Sequence, residues 1–342
     1  MRQLASIQKI IAIQPIPNAD AIEVATVLGW QVVIKKGEFK VGDLCVYCEI
    51  DSIMPPRPEF SFLQPHFRIK TIRLRGQISQ GICFPLSILN GLRYEFDHRE
   101  TAVYNFAEGK DVTNLIGVTK YELPVNAQLA GKVRGNFPGF IPKTDEPRVQ
   151  AFPWLVTKYK DVPFFATEKV DGSSCTFCLK NDELHVSSRN WDLIEDPGNL
   201  LWKLARELKI EEKLRSLGEE RFAIQGEVIG EKIQDNRLGI KGKKILFFNA
   251  YDFIEREYLS YSQYKELFQT LKLETVPIIV MLSHIPETIA ELVALATRNS
   301  VVNNQVLLEG LVFRPMIEQR DEKIGRLSFK VINPEYLLKN KE

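Results

Sequence analysis

A lysine followed two residues later by Asp-Gly, and farther on two carboxylates that each stand alone inside an apolar, strand-like run, mark this 342-residue chain, and burying an unpaired charge is costly. Lys169 lies in Glu168-Lys169-Val170-Asp171-Gly172-Ser173-Ser174, with strand-like sequence on both sides. Glu227 sits inside Ile224-Gln225-Gly226-Glu227-Val228-Ile229-Gly230, bracketed by glycines, and Glu309 inside Leu308-Glu309-Gly310-Leu311-Val312-Phe313-Arg314-Pro315. An ionised group in such surroundings needs a reason. The first run by itself has a plain structural reading, because Asp-Gly is a turn signal and a lysine beside a hairpin is ordinarily solvated. A functional reading requires further elements, in order, along the chain.

Four such elements are present. Ser187-Ser188-Arg189-Asn190 closes a short strand-like segment at residues 184–188. Ile245-Leu246-Phe247-Phe248-Asn249-Ala250-Tyr251-Asp252-Phe253 is rich in aromatic residues, and core packing accounts for Phe247, Phe248 and Phe253. Arg326-Leu327-Ser328-Phe329-Lys330-Val331-Ile332 places a cation in a further apolar run. Upstream, Pro142-Lys143-Thr144-Asp145-Glu146-Pro147-Arg148-Val149-Gln150 reads structurally as a charged loop.

The ordered series resembles the motifs of the covalent nucleotidyltransferases, the superfamily of polynucleotide ligases and mRNA capping enzymes. The resemblance implies that the Lys169 amine attacks the α-phosphate of a nucleotide and forms a reactive phosphoramidate, which a phosphate-ended strand then displaces. It implies that Arg189 binds the acceptor 5′-phosphate or a nucleotide phosphate, and that Glu227 meets the ribose or a metal-bound water. Tyr251 would stack on the purine, Val312 would pack on the opposite face of the base, and Lys330 would supply charge to the triphosphate. Arg148 would lie against a nucleotide phosphate, and Glu168 and Gly172 would join Lys169 in binding the nucleotide. Asp171, Glu227 and Glu309 would form the shell of Mg²⁺ or Mn²⁺, acting largely through waters. A free lysine, with a pKa of about 10.4, is a poor nucleophile at neutral pH, and a nearby divalent cation favours its neutral form. The chain departs from the family pattern in one place: many members carry two lysines as K-x-K, whereas here Lys330 has Ser328 and Ile332 at that spacing. Either Arg326 replaces the missing charge, or the alignment shifts by a strand residue.

Length favours two domains. The motif series leaves residues 1–123 for a separate module, with 124–342 as the adenylyltransferase domain. The expected fold class is α+β: an N-terminal OB-type β-barrel, then a ligase-type domain of antiparallel sheets flanked by helices. Strand-like stretches at 7–16, 23–27, 30–35, 44–50, 69–74 and 81–84, broken by Pro15, Pro17, Gly29, Gly37 and Gly42, suit a small barrel of about five strands. Arg68, Lys70, Arg73 and Arg75 alternate with Ile69 and Ile72, with a shift of register near Thr71, which reads either as a basic nucleic-acid-facing strand or as a charge-guarded edge. Residues 121–127 read as a linker and 131–139 as an irregular extension. Amphipathic helices are expected at 197–218, 261–271 and 286–297.

This domain order resembles the RNA ligases typified by the Deinococcus and Naegleria enzymes, with the OB module first. For such a protein the resemblance implies ATP, as AMP donor, and sealing of 3′-OH/5′-phosphate nicks in a duplex whose 3′-OH strand is RNA. A DNA ligase, a capping guanylyltransferase and a noncatalytic OB-type nucleic-acid-binding protein are the competing readings. The 44% hydrophobic content is ordinary, no apolar stretch approaches the length of a membrane span, and the first residues lack a secretory pattern, so an intracellular, cytoplasmic monomer is expected. A net charge of +1 leaves room for a local basic groove. Cys45-x-x-Cys48 and Cys175-x-x-Cys178 imitate halves of a zinc site, but residues three apart on a strand point to opposite faces, so reduced buried thiols are expected. His66, His98, His185 and His284 have no ligand spacing.

Overall fold

The computed structural model describes residues 2–92, 106–122 and 132–340, so most of the expected linker, and His98, lie outside the described residues. The chain divides into two compact units: Met1–Leu123 with Val149–Leu155 and Pro334–Glu342, and Pro124–Arg148 with Val156–Asn333.

The first unit is built on β1 (Ala5–Pro15), β2 (Ile22–Val27), β3 (Trp30–Lys35), β4 (Leu44–Cys48), a hairpin of β5 (Thr71–Leu74) and β6 (Gln77–Gln80), and β7 (Ile82–Pro85). Its five-stranded antiparallel sheet runs β3-β2-β1-β4-β7. The long β1 pairs with β4 through residues 5–9 and with β2 through residues 10–15, with a register shift between Ile10 and Ala12. Such a bulge bends and twists the strand, so one strand serves both halves of a curled sheet. Alternation sets the inner face: on β3, Trp30, Val32 and Ile34 are buried, while Gln31 and Lys35 are exposed.

The basic run does not form one exposed face. Ile69 is buried, but Ile72 is 46% exposed, because β5 begins only at Thr71 and the backbone before it follows a different path. Arg68 turns inward, bonded to Asp51 at 2.8 Å and lying 3.5 Å from the centroid of the Tyr121 ring. Arg73 pairs with Glu335.

The second unit contains two antiparallel sheets. The larger comprises β8 (Val133–Asn136), β10 (Ser173–Lys180), β11 (Glu183–Ser188), β12 (Trp191–Leu193), β13 (Phe222–Gly230), β14 (Lys243–Asp252) and β15 (Glu257–Tyr258), in the order β8-β12-β11-β10-β13-β14-β15. The smaller comprises β9 (Phe164–Lys169), β16 (Ile278–Leu282), β17 (Gly310–Pro315) and β18 (Phe329–Ile332), in the order β16-β9-β17-β18.

Helices cover one face of the larger sheet. The expected helix at 197–218 is two, α1 (Leu200–Glu207) and α2 (Ile210–Arg215), because Lys209 takes a left-handed φ of 53° and breaks the hydrogen-bond ladder. Asn199 caps α1, accepting from Leu201 N at 2.9 Å and Trp202 N at 3.2 Å. α3 (Tyr261–Leu271) follows the expected bounds, and α4 (Ile289–Ala296) starts from a capping box between Thr288 and Glu291. Leu201, Leu204, Phe177, Phe247 and Phe268 meet in the core between helices and sheet. All five cysteines are free and buried, and burial pushes the Cys178 thiol up to about 12, as expected of inert reduced thiols. Among the described residues no helix is long and apolar enough to cross a membrane.

Phe247 is fully buried, stacked on Phe268 with ring centroids 5.3 Å apart and 6.1 Å from Phe177. Phe247→Ala is expected to destabilise this unit by about 3–5 kcal/mol, read from the urea midpoint of the full chain.

Candidate active site

Strand pairing places the reactive groups before any side chain is considered. Lys169 ends β9 opposite Gly310, so Glu309 precedes the partner position directly. Thr167 pairs with Val312, and Val312 with Lys330, making one row across three strands. On the larger sheet Glu227 pairs with Ser174 on one side and Leu246 on the other. The next row of the same face holds Ser187, Thr176, Gln225 and Asn249, all buried.

The Lys169 amine donates to Glu309 Oε1 at 2.5 Å, with the lysine side chain 30% exposed and the glutamate 11%. Burial is the largest single influence on this amine and lowers its proton affinity. The charges of Glu309, Glu227 and Asp171 together outweigh it and hold the lysine above its usual range. Glu227 responds in the opposite sense to a normal carboxylate: burial first, then the charges of Glu309 and Asp171, push it up to about 8 against the pull of Lys169 and Arg189.

Gly172 lets the Asp171-Gly172 turn press against the Glu227 strand. A Cβ there would lie 2.3 Å from the Val228 carbonyl oxygen and 2.9 Å from Glu227 Cγ. Asp171 is drawn to Arg237, 3.1 Å away on the loop after β13. Among the described residues no group of three or more His, Cys, Asp or Glu side chains stands close enough to hold a metal directly. Asp171, Glu227 and Glu309 are nonetheless close enough to act together on Lys169, which fits a hydrated divalent cation reached through waters.

A second cationic group lies beside this one. Asp145 receives the Lys330 amine at 3.2 Å and stands 3.6 Å from Arg189. Arg148 forms a parallel bridge with Lys330, whose backbone N–H donates to the Pro147 carbonyl at 2.8 Å. Burial, only partly offset by Asp145, pushes the Lys330 amine down to about 8.

Three sequence expectations meet a different placement. The Glu168 side chain points away from Lys169, as alternate strand residues must, and binds Ser300 Oγ and the Val301 N–H at 2.8 Å. It anchors a loop and does not join the lysine group. Tyr251 pairs with Ala223, four residues along β13 from Glu227, which is about 13 Å of strand. Its ring meets Tyr258 edge-on at 5.0 Å, within a cluster that includes Ile141 and Phe253. Phe248, assigned to core packing from sequence, is half-buried and does pack against a core cluster, the one that holds Val170, the residue after Lys169. A register shift on β13 between Gln225 and Gly226 leaves Phe248 without a partner and turns it toward this side. Arg326 does not stand free to replace a missing lysine. It is held by Glu318 and by Asn249 Oδ1 at 3.0 Å, and lies 3.5 Å from the centroid of the Tyr258 ring. Sequence reasoning also left Arg237 and Asp145 without roles, since only tertiary contact brings either to the site.

Two antiparallel sheets, with a lysine at one strand end and three carboxylates about it, define a covalent nucleotidyltransferase. Residues 162–332 match the RNA ligase family and residues 4–86 an OB-fold domain family. The chain belongs to the RNA ligase family. It is similar to Naegleria gruberi RNA ligase solved with PPi, at 38% identity over 100% of this chain and 99% of that one, with a TM-score of 0.88. A glutamate-to-alanine mutant of the Naegleria enzyme with ATP and Mn matches at 37% identity, covering 100% of both chains, with a TM-score of 0.88. An apo mutant matches at 38% identity, 99% and 98% coverage and a TM-score of 0.87. No curated protein sequence matches the chain significantly.

The environment of Lys330 has a direct consequence. Its amine should lose its proton as pH rises through about 8, below the usual lysine range. Carbon-detected NMR of labelled lysine is expected to show this titration, and Asp145→Asn, which removes a charge that favours the proton, should move it lower still.

Proposed function

We propose that this RNA ligase uses ATP to seal 3′-OH/5′-phosphate nicks in duplexes whose 3′-OH strand is RNA, through a lysyl-AMP intermediate on Lys169. The observation that carries the reading is the Lys169 amine held at 2.5 Å by Glu309 among the charges of Glu227 and Asp171. The Naegleria enzyme, similar over the whole chain, has been solved with ATP and Mn, and with AMP and Mn after a lysine-to-methionine change. The five buried, free thiols suit an intracellular enzyme.

In this reading the carboxylates first orient the Lys169 amine, which passes a proton to Glu309 and attacks the α-phosphate as the bond to the leaving pyrophosphate breaks. Lys330, Arg148 and Arg189 offset the negative charge that gathers on the phosphates. Glu227 holds the ribose, Gly172 keeps the nucleophile loop tight against it, and Val312 supplies an apolar face for the base. Asp171, Glu227 and Glu309 would hold Mg²⁺ or Mn²⁺, whose chemistry when bound is to neutralise phosphate charge and favour the unprotonated amine. AMP then passes to the 5′-phosphate, and the RNA 3′-OH displaces it.

Incubation with α-labelled nucleoside triphosphates and Mg²⁺, followed by denaturing electrophoresis, is expected to give a covalent adduct with ATP and none with GTP. Lys169→Ala should remain folded and take no label; equal labelling of that variant would remove the central claim. On nicked duplexes, sealing should be fast with an RNA 3′-OH strand and slow with an all-DNA nick. Equal rates would point to a DNA ligase.

A further inference from the structure

The loop that joins β13 to β14, residues 231–242, adopts a backbone that its sequence should avoid. Lys232, Gln234 and Asn236 take φ of 64°, 45° and 47°, the left-handed region that side chains other than those of asparagine and aspartate seldom enter. Such strain persists only where surrounding contacts over-determine it, and it gathers at functional sites. Asn236 offsets its own cost locally: its side chain accepts from the Ile240 N–H and donates to the Ile240 carbonyl, each at 3.1 Å. Gln234 stands where glycine would fit without strain, and its side chain is used elsewhere, donating to the Gly172 carbonyl at 3.3 Å. Ile233 and Leu238 hold the loop in two separate apolar clusters.

The Gln234 bond is one of three ties from this loop to the Lys169 motif. Arg237 Nη1 donates to Asp171 Oδ2 at 3.1 Å, between side chains that are 16% and 12% exposed. The Leu238 carbonyl accepts from Asn303 Nδ2 at 2.8 Å, the Asn303 N–H donates to Ser300 Oγ at 3.1 Å, and Ser300 is bonded to Glu168. The loop is therefore tied to residues on both sides of the nucleophile, Glu168 before it and Asp171 and Gly172 after it. On its outer side the guanidinium is steadied by Asp235, 3.0 Å from Nη2. A planar guanidinium fixes the angle of a carboxylate as well as its place, which an ammonium does not.

We propose that Arg237 is a positioning residue for the attack of Lys169, fixing the Asp171 carboxylate for the waters of the divalent cation, with the strained 231–242 loop as its support. This rests on the reading of Asp171 as part of that cation's shell. A carboxylate that acts through water is not held in place by the ion itself, so a protein partner must set its position. Removing such an outer partner weakens metal binding by roughly 10- to 100-fold. The strain then has a use: a relaxed loop would leave Asp171 to find its own rotamer.

The test measures Mn²⁺ binding to the nucleotide-free full chain from the electron paramagnetic resonance signal of the free ion. Arg237→Gln is expected to bind Mn²⁺ about tenfold more weakly than wild type, and Arg237→Lys, which keeps the charge and loses the fork, to lie between them. In lysyl-AMP formation from ATP, Arg237→Gln should need about tenfold more Mn²⁺ for half-maximal rate, the larger effect falling on the metal requirement and the smaller on the maximal rate. Equal or tighter Mn²⁺ binding by Arg237→Gln, or a lower melting temperature with an unchanged metal requirement, would overturn the assignment and leave Arg237 a loop anchor only. If Arg237→Gln fails to fold, Arg237→Lys carries the test, and wild-type Mn²⁺ affinity in that variant overturns it equally. No Mn²⁺ binding or no lysyl-AMP in wild type sinks the reading of Asp171 and Lys169 themselves, whereas a normal wild type beside an unshifted variant sinks this inference alone.

Discussion

The ion pair between Lys169 and Glu309 is the contact around which the second unit is organised. A lysine in a partly enclosed cleft would ordinarily lose proton affinity through desolvation, and here three carboxylates reverse that tendency. The Lys169 amine is therefore held protonated and oriented. The same crowding raises Glu227, whose charge is disfavoured by burial and by its acidic neighbours.

Backbone geometry makes that crowding possible. Lys169 and Glu309 approach because β9 and β17 are adjacent antiparallel strands in a fixed register, and a one-residue slip would turn every side chain to the opposite face. Glu168 illustrates the rule: one position away from the nucleophile, its carboxylate serves a loop on the other side of the sheet. Gly172 and Gly310 permit close backbone approach, since a Cβ on Gly310 would lie 2.4 Å from the Val331 carbonyl oxygen. Lys330, Arg189 and Asp145, side chains far apart in sequence, meet in one charged cluster.

Much of this was legible in the residues. Carboxylates isolated within apolar strands, at Glu227 and Glu309, marked a site because such burial is costly without partners, and Lys169 was marked by the Asp-Gly that follows it. Strict alternation gave β3 with the bounds Trp30–Lys35, and the periodic spacing of apolar residues gave α3. The failures were equally physical. The helix at 197–218 breaks at Lys209, a residue type that carries no strong turn signal. Ile72 fits an alternating pattern but falls at the start of a short hairpin, so its face is set by the path of the chain before it. Tyr251 lies about 13 Å of strand from Glu227, a distance that only the strand register reveals.

The sequence by itself determined which segments become strands, where the acid and amine groups lie, and the kinship with ligases, because alternation, glycine placement and motif order are local properties. Tertiary structure decided who meets whom. Asp171 found Arg237, Lys330 found Asp145, and Arg326 was withdrawn to Glu318. None of those pairings follows from spacing, since each depends on loops and strands brought together by the packing of two sheets, and side-chain charge is settled only by its neighbours in space.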